Sequence, residues 1–101
     1  MHVWIHIVKN QIPTPEGGVT YTLGLTPAGG EFAGDVPRRQ FASWRELETE
    51  LAGSTPLSAQ DIAPRKVEVD KEGAIIIKDL RLTQAQLHGL GFDTQQLLRA
   101  A

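Results

Sequence analysis

Residues 2–9 read His-Val-Trp-Ile-His-Ile-Val-Lys, and this stretch carries the clearest secondary-structure signal in the chain. Val3, Ile5 and Ile7 fall on one side of an extended chain, and the even-numbered side chains fall on the other. Successive side chains of a β-strand point to opposite faces, so alternation of this kind is typical of a strand. The stretch predicts a first strand with one face in the core.

The chain after this strand predicts a β-hairpin. Prolines and glycines interrupt residues 13–18, and alternation resumes over residues 19–25. The two strands would therefore be joined by a long, proline-containing loop. A further turn at residues 27–30 precedes residues 31–33, which we expect to form a short third strand at the sheet edge.

A helix is predicted over residues 43–52. Ser43 and Glu46 have the spacing of a capping box, in which the two side chains bond the free backbone N–H groups of the first turn. The apolar residues that follow recur on one helical face until a glycine ends the pattern. These residues are Trp44, Leu47 and Leu51.

The middle of the chain predicts one helical turn and a second hairpin. Residues 58–62 favour a single turn, with Leu57 and Ile62 as its apolar anchors. Residues 66–70 alternate like a strand, and a tight turn would lead from them into a strand at residues 74–78. The three consecutive isoleucines of that strand indicate a position covered on both faces, or central in the sheet.

The C-terminal part predicts a pair of short helices. Thr83 with Gln86, and Asp93 with Gln96, each have the spacing of a capping box, and a turn at residues 89–92 separates them. The predicted order of elements is β-β-(β)-α-β-β-α-α.

This order predicts one α+β domain over residues 1–101. A mainly antiparallel sheet of four to five strands would form one layer, and the main helix with the C-terminal helical pair would form the other. The predicted core consists of Val3, Ile5, Ile7, Tyr21, Leu23, Leu25, Leu47, Leu51, Val67, Val69, Ile75, Ile77, Leu87, Leu90 and Leu97.

Composition narrows the classes of function. Twelve acidic and ten basic side chains give a formal charge of −2, so no global positive field attracts nucleic acid or an anionic membrane. The absence of cysteine excludes disulfides, thiolate zinc sites and a thiol nucleophile. No apolar run approaches the roughly 20 residues that cross a bilayer. We expect a cytoplasmic protein, bacterial in style, with no membrane association.

The histidines do not predict a catalytic or metal site. His2 and His6 are about 13 Å apart along a strand, which is too far for a shared ion. His88 lies near the end of a predicted helix, where the helix dipole favours an imidazolium. As a general base, His88 would need a neighbouring carboxylate such as Asp79 or Asp93, and His6 would likewise need a carboxylate nearby. The glycines form no phosphate-binding motif. We therefore predict no enzyme activity, no metal and no cofactor.

Two groups of residues are candidates for binding. Arg38, Arg39 and Arg45 flank the start of the main helix beside Trp44, where a phosphate or carboxylate can be held. Against this, the capping residues of that helix occupy its free backbone donors.

Trp4 belongs to the second group, together with His6 on the same side of the first strand. Trp4 would either pair with Tyr21 across the hairpin or form a contact patch, because tryptophan is enriched at interfaces.

These observations predict a small, non-enzymatic module that binds another protein, as an adaptor or inhibitor does. An open antiparallel sheet also leaves edges through which two copies can pair. The alternative is a nucleic-acid-associated regulator that uses the arginine patch or the helix-turn-helix outline of residues 83–100. The opening β-β-(β)-α order resembles the antitoxin halves of small toxin–antitoxin pairs in topology, over the first half of the chain. No motif residue carries that resemblance.

Overall fold

The structure is a computed structural model that describes residues 2–11, 18–31, 36–93 and 95, apart from the side chain of Asp79. The strands of this part are β1 (His2–Gln11), β2 (Val19–Pro27), β3 (Arg38–Phe41) and β4 (Ala74–Arg81). Its helices are α1 (Trp44–Ser54), α2 (Ala59–Ile62), α3 (Arg65–Glu72) and α4 (Gln84–Gly89).

The four strands form one antiparallel sheet in the order β3-β2-β1-β4. β1 is therefore paired on both sides. Its residue Ile5 lies opposite Leu25 of β2 and Ile77 of β4. The predicted α+β class, the first strand and the first hairpin are confirmed.

The helices cover one face of this sheet, which we call the inner face. Val3, Ile5 and Ile7 of β1 are fully buried there, as are Leu47 and Leu51 of α1. Burial of apolar side chains between two layers is the main favourable contribution to folding. The inner core also includes Tyr21, Leu23, Leu25, Phe41, Trp44, Ile62, Val69, Ile77, Leu82, Leu87, Leu90 and Phe92.

Three predicted helix starts are confirmed by their caps. The Ser43 hydroxyl accepts a hydrogen bond of 3.2 Å from the backbone N–H of Glu46 at the start of α1. Ser58 and Thr83 each form a reciprocal capping box, at α2 and α4 respectively. The second helix of the predicted C-terminal pair lies mostly outside the described residues, and so does the predicted core residue Leu97.

The strand predicted at residues 66–70 is wrong, because this segment lies within α3. Only Val69 reaches the core, and Val67 is 71% exposed. Lys66 pairs with Asp70 one turn later, a spacing that stabilises a helix and not a strand. Gly73 ends α3 in the left-handed conformation (φ 82°), which glycine adopts without strain.

The second hairpin is consequently wrong as well. β4 pairs with β1, and in the described part of the chain no strand lies on its other side. The isoleucine run is therefore in an edge strand and not in a central or doubly covered one. Ile77 is buried, Ile75 is half-buried and Ile76 is 44% exposed.

The third strand of the structure is a segment that was not predicted, and it lies after the strand expected at residues 31–33. Glu31 is not in a strand, and residues 32–33 lie outside the described residues. β3 starts immediately after Pro37 and pairs with β2 from Gly24 to Tyr21. Proline is compatible with the position before an edge strand because it lacks the N–H that a central ladder needs.

A polar contact fixes α3 against the sheet. The Asp70 carboxylate accepts a hydrogen bond of 3.0 Å from the Tyr21 hydroxyl and lies 3.4 Å from the Lys9 ammonium. Lys66 donates to its other oxygen at 2.6 Å. The hydrogen bond from Lys66 is the main reason that the pKa of Asp70 is lowered. α3 is thus tied to both β1 and β2.

Substitution of the two valines of α3 tests its helical assignment. Val67→Ala should leave the free energy of unfolding unchanged or raise it by about 0.5 kcal/mol, since alanine is the better helix former. Val69→Ala should lower it by about 2 kcal/mol through lost core packing. Urea denaturation followed by circular dichroism measures both. A clear loss of stability in Val67→Ala would contradict the exposed helical position.

Candidate interaction surface

The even-numbered residues of β1 and β2 lie on the side of the sheet opposite the helices, which we call the outer face. Strand pairing aligns its residues in rows. One row consists of Arg38, Gly24, His6 and Ile76, and the next consists of Gln40, Thr22, Val8 and Ala74. Thr26, Trp4 and Lys78 lie on one flank of these rows, and Thr20 and Asn10 lie on the other.

The outer face is cationic. It carries Arg38 on β3 and Lys78 on β4, and Arg81 joins them because its Nε donates a hydrogen bond of 2.9 Å to Nε2 of His2. Among the strand side chains that the structure describes on this face, none is a carboxylate. Seven carboxylates lie instead on the first three helices, at Glu46, Glu48, Glu50, Asp61, Glu68, Asp70 and Glu72. The chain therefore has a net negative charge, but its outer face is basic and its first three helices carry these acidic side chains.

Trp4 lies between two strands at the cationic end of the face. It is opposite Thr26 of β2, and the Lys78 ammonium lies 4.9 Å from the centre of its ring. An ammonium over an indole face is favoured by the negative potential of the ring. The register of β1 and β4 shifts here, so that two backbone positions of β4, residues 78 and 79, are opposite the single residue Trp4 in the ladder. Such a bulge redirects the side chains around it.

His6 is 5% exposed although it belongs to the outer face. Its Nε2 lies 2.9 Å from the Thr26 hydroxyl, which donates its only proton to the carbonyl of Gly30 at 3.3 Å. Nε2 of His6 is therefore the donor and carries the ring proton. A β-carbon at Gly30 would lie 3.0 Å from the Thr26 side chain, so glycine allows this turn to fold back over the sheet.

Burial lowers the pKa of His6 below its ordinary value of 6.5. The neutral ring is therefore the form that the folded chain accommodates. Below pH 6.5 the unfolded chain takes up a proton that the folded chain resists. Stability is fully present above pH 6.5 and falls as the pH drops towards the lowered pKa.

The apolar end of the outer face lies at the start of β4. Ile76, Val8 and Ala74 adjoin a cleft of about 520 Å³ that is also lined by His6, Ile75, Glu68 and Glu72. The two glutamates come from α3, so this rim is acidic whereas the opposite end of β4 carries Lys78 and Arg81.

The predicted arginine cluster is not gathered at one point. Arg38 extends on the outer face, and its Nε donates to the carbonyl of Val36. Arg39 extends on the inner side, where it bonds the carbonyl of Leu90 at 2.9 Å and stacks on Phe41. Its other contact is a salt bridge of 3.5 Å to Glu50.

The remaining arginine of that cluster, Arg45, is exposed on α1. It shares a cleft with Arg39 and two carboxylates, those of Glu46 and Glu50. A bound anion would meet these carboxylates as well as the guanidinium groups, and like charge opposes such binding.

The two predicted aromatic candidates have different surroundings. Trp44 is a core residue whose ring meets that of Tyr21 edge to face at 5.3 Å between centroids. Trp4 does not pair with Tyr21, because the register of the hairpin places Lys9 opposite that tyrosine. Trp4 is half-buried on the outer face.

Sequence reasoning missed Ile76, Lys78 and Arg81 as parts of a surface. The sequence alone shows that Lys78 and Ile76 alternate onto one side of a strand. A run of isoleucines, however, is typical of a buried strand, so neither residue was predicted to be on the surface. Only the pairing of β4 with β1 shows that Ile76 reaches solvent at an edge.

Within residues 2–11, 18–31, 36–93 and 95, no group of three or more metal-ligating side chains could hold an ion. No helix of the same part is long and apolar enough to cross a bilayer. Comparison of the chain with known proteins finds no matching family model, curated protein or solved structure.

The buried imidazole predicts a pH-dependent stability. His6→Gln keeps an N–H donor for Thr26 and removes the titrating group, so its free energy of unfolding should fall less than that of the wild type between pH 7 and pH 5. His88→Gln makes the same substitution at an exposed position and controls for the general effect of replacing a histidine. Urea denaturation across this range measures the difference. Equal slopes for the wild type and His6→Gln would contradict the assignment.

Proposed function

We propose that the protein is a non-enzymatic binding module that uses its outer face to hold another protein, in the manner of an adaptor or inhibitor. The observation that carries the proposal is the division of charge between the two layers. Arg38, Lys78 and Arg81 lie on the outer face, and the described strand side chains beside them include no carboxylate. The cysteine-free composition supports a reducing, cytoplasmic location.

The chemistry of the surface favours one kind of partner. Half-buried Trp4 lies between the cations of the two edge strands, and half-buried Val8 lies further along β1, at the apolar end of the face. Interfaces commonly combine an apolar centre with a polar rim, and complementary charge increases the rate of association. The partner should therefore present acidic side chains beside an apolar patch.

Nucleic acid is the second candidate, favoured by the same cations together with Trp4. Single strands bind to basic grooves in which bases stack on aromatic rings. Against it, Lys78 already lies over the ring of Trp4, and useful affinity ordinarily needs several phosphate contacts. Binding of an acidic protein surface does not require base stacking on the ring of Trp4 or contacts to several successive phosphates.

A pair of matched charge reversals tests the proposal. Arg38→Glu reverses one cation of the outer face, and Arg45→Glu makes the same change on α1, on the opposite side of the molecule. The tagged full chain is used to capture partners from its host before and after nuclease treatment. A protein retained by wild type and Arg45→Glu, and reduced about tenfold by Arg38→Glu, is the expected result.

The other outcomes count against a protein partner on this face. If the same proteins are recovered with all three baits, or are lost equally with both variants, the outer face does not select them. If the captured material is nuclease-sensitive nucleic acid, the second candidate replaces the first. The retained complex should also dissociate as sodium chloride is raised, because exposed charge pairs are screened by salt.

A further inference from the structure

The outer edge of β4 presents free backbone groups in a defined pattern. Lys9 N–H bonds the carbonyl of Gly73 at 2.9 Å, which makes these two residues a hydrogen-bonded pair of the ladder. Hydrogen-bonded and non-hydrogen-bonded pairs alternate in an antiparallel sheet. Ile75 and Ile77 therefore bond β1, and the N–H and C=O of Ile76 point away from it. No strand in the described part of the chain meets them.

The side chain of Ile76 marks the same place. At 44% exposure it is one of two large apolar residues exposed in the described part of the chain, the other being Val67. Within the described residues, Ile76 thus combines backbone groups that no strand pairs with and an exposed side chain. Natural proteins ordinarily protect such edges with charges, bulges or short strands. In β4 the protecting bulge and the charge of Lys78 lie only near the end of the strand. The first half of the strand therefore lacks these protections against pairing with another strand.

Charge along this edge is opposite at its two ends. Glu68 and Glu72 lie beside the start of β4, whereas Lys78 and Arg81 lie towards its end. Antiparallel pairing of two identical strands places the start of each beside the end of the other. The acidic end of one copy would therefore meet the basic end of its partner, on both sides of a two-fold axis.

We infer that two copies of this chain pair through β4 in antiparallel register centred on Ile76, forming one continuous sheet of eight strands. The two Ile76 residues exchange backbone hydrogen bonds across the axis and bury their side chains against each other. Ala74 then lies opposite Lys78 of the other copy. This inference differs from the heterologous partner proposed above because it uses the backbone of the sheet edge, although both proposals invoke the cations Lys78 and Arg81.

Substitution of Ile76 separates edge pairing from folding. Ile76→Pro deletes an N–H that bonds nothing in β1, and proline is tolerated at such edge positions. Ile76→Val keeps the N–H and the β-branched shape, so it is the matched control. Sedimentation equilibrium over a range of concentrations should give the wild type and Ile76→Val a mass approaching twice 11.0 kDa. Ile76→Pro should stay at the monomer mass, with circular dichroism reporting its fold.

Charge exchange tests the register without any change to the strand backbone, and it decides the question if Ile76→Pro does not fold. Glu72→Lys should raise the dimer dissociation constant about tenfold at low salt, since two basic ends then meet. The double variant Glu72→Lys with Lys78→Glu restores opposite charges and should recover most of the loss. A matched reversal of a carboxylate on α1, Glu48→Lys, should leave the constant unchanged.

Three results would overturn the inference. The first is a wild-type chain that remains at 11.0 kDa up to concentrations on the order of 1 mM. The second is a dimer that a folded Ile76→Pro variant still forms. The third is failure of the double charge exchange to recover association. None of these results affects the Arg38 and Arg45 comparison, so the two proposals fail separately.

Discussion

The burial of β1 on the inner face is the constraint on which the rest of the structure depends. Val3, Ile5 and Ile7 are fully buried, and the strand is hydrogen-bonded on both sides, so it can neither shift its register nor move to an edge. A shift by one residue would turn its apolar side chains outward and its histidines inward. β4 must therefore join β1 on the side that the hairpin leaves open. That requirement places α3 across the inner face, where Asp70 bonds Tyr21.

The same alternation also creates the outer face. Alternate side chains of each strand point away from the inner core, so they lie together on the opposite side of the sheet. Because the acidic residues of the chain are concentrated in the helical segments, the strands carry the cations Arg38, Lys78 and Arg81. Charge separation between layers thus follows from where the helices begin and end, and it gives a chain of net charge −2 a basic surface.

Much of the fold was readable from local signals. Alternation identified β1 and β2, and capping patterns identified α1, α2 and α4, because both signals depend on neighbours within a few residues. α3 was misread because Val67 and Val69 alternate by chance in a charged segment, where the Lys66 and Asp70 pair was the better indicator. Part of the candidate surface was predicted, since Trp4, His6 and Arg38 were named from the sequence. Ile76, Lys78 and Arg81 were not, because their position depends on the pairing of β4 with β1, a contact between residues about 70 positions apart.

The short strand β3 limits how large an assembly this sheet can form. It has four residues, begins after Pro37 and carries an exposed arginine, so the edge opposite β4 offers little backbone for another chain. Growth of the sheet is thereby confined to one direction. An association through β4 would use up the longer of the two sheet edges that the structure describes in each copy, which would give a closed pair in place of an open-ended fibril.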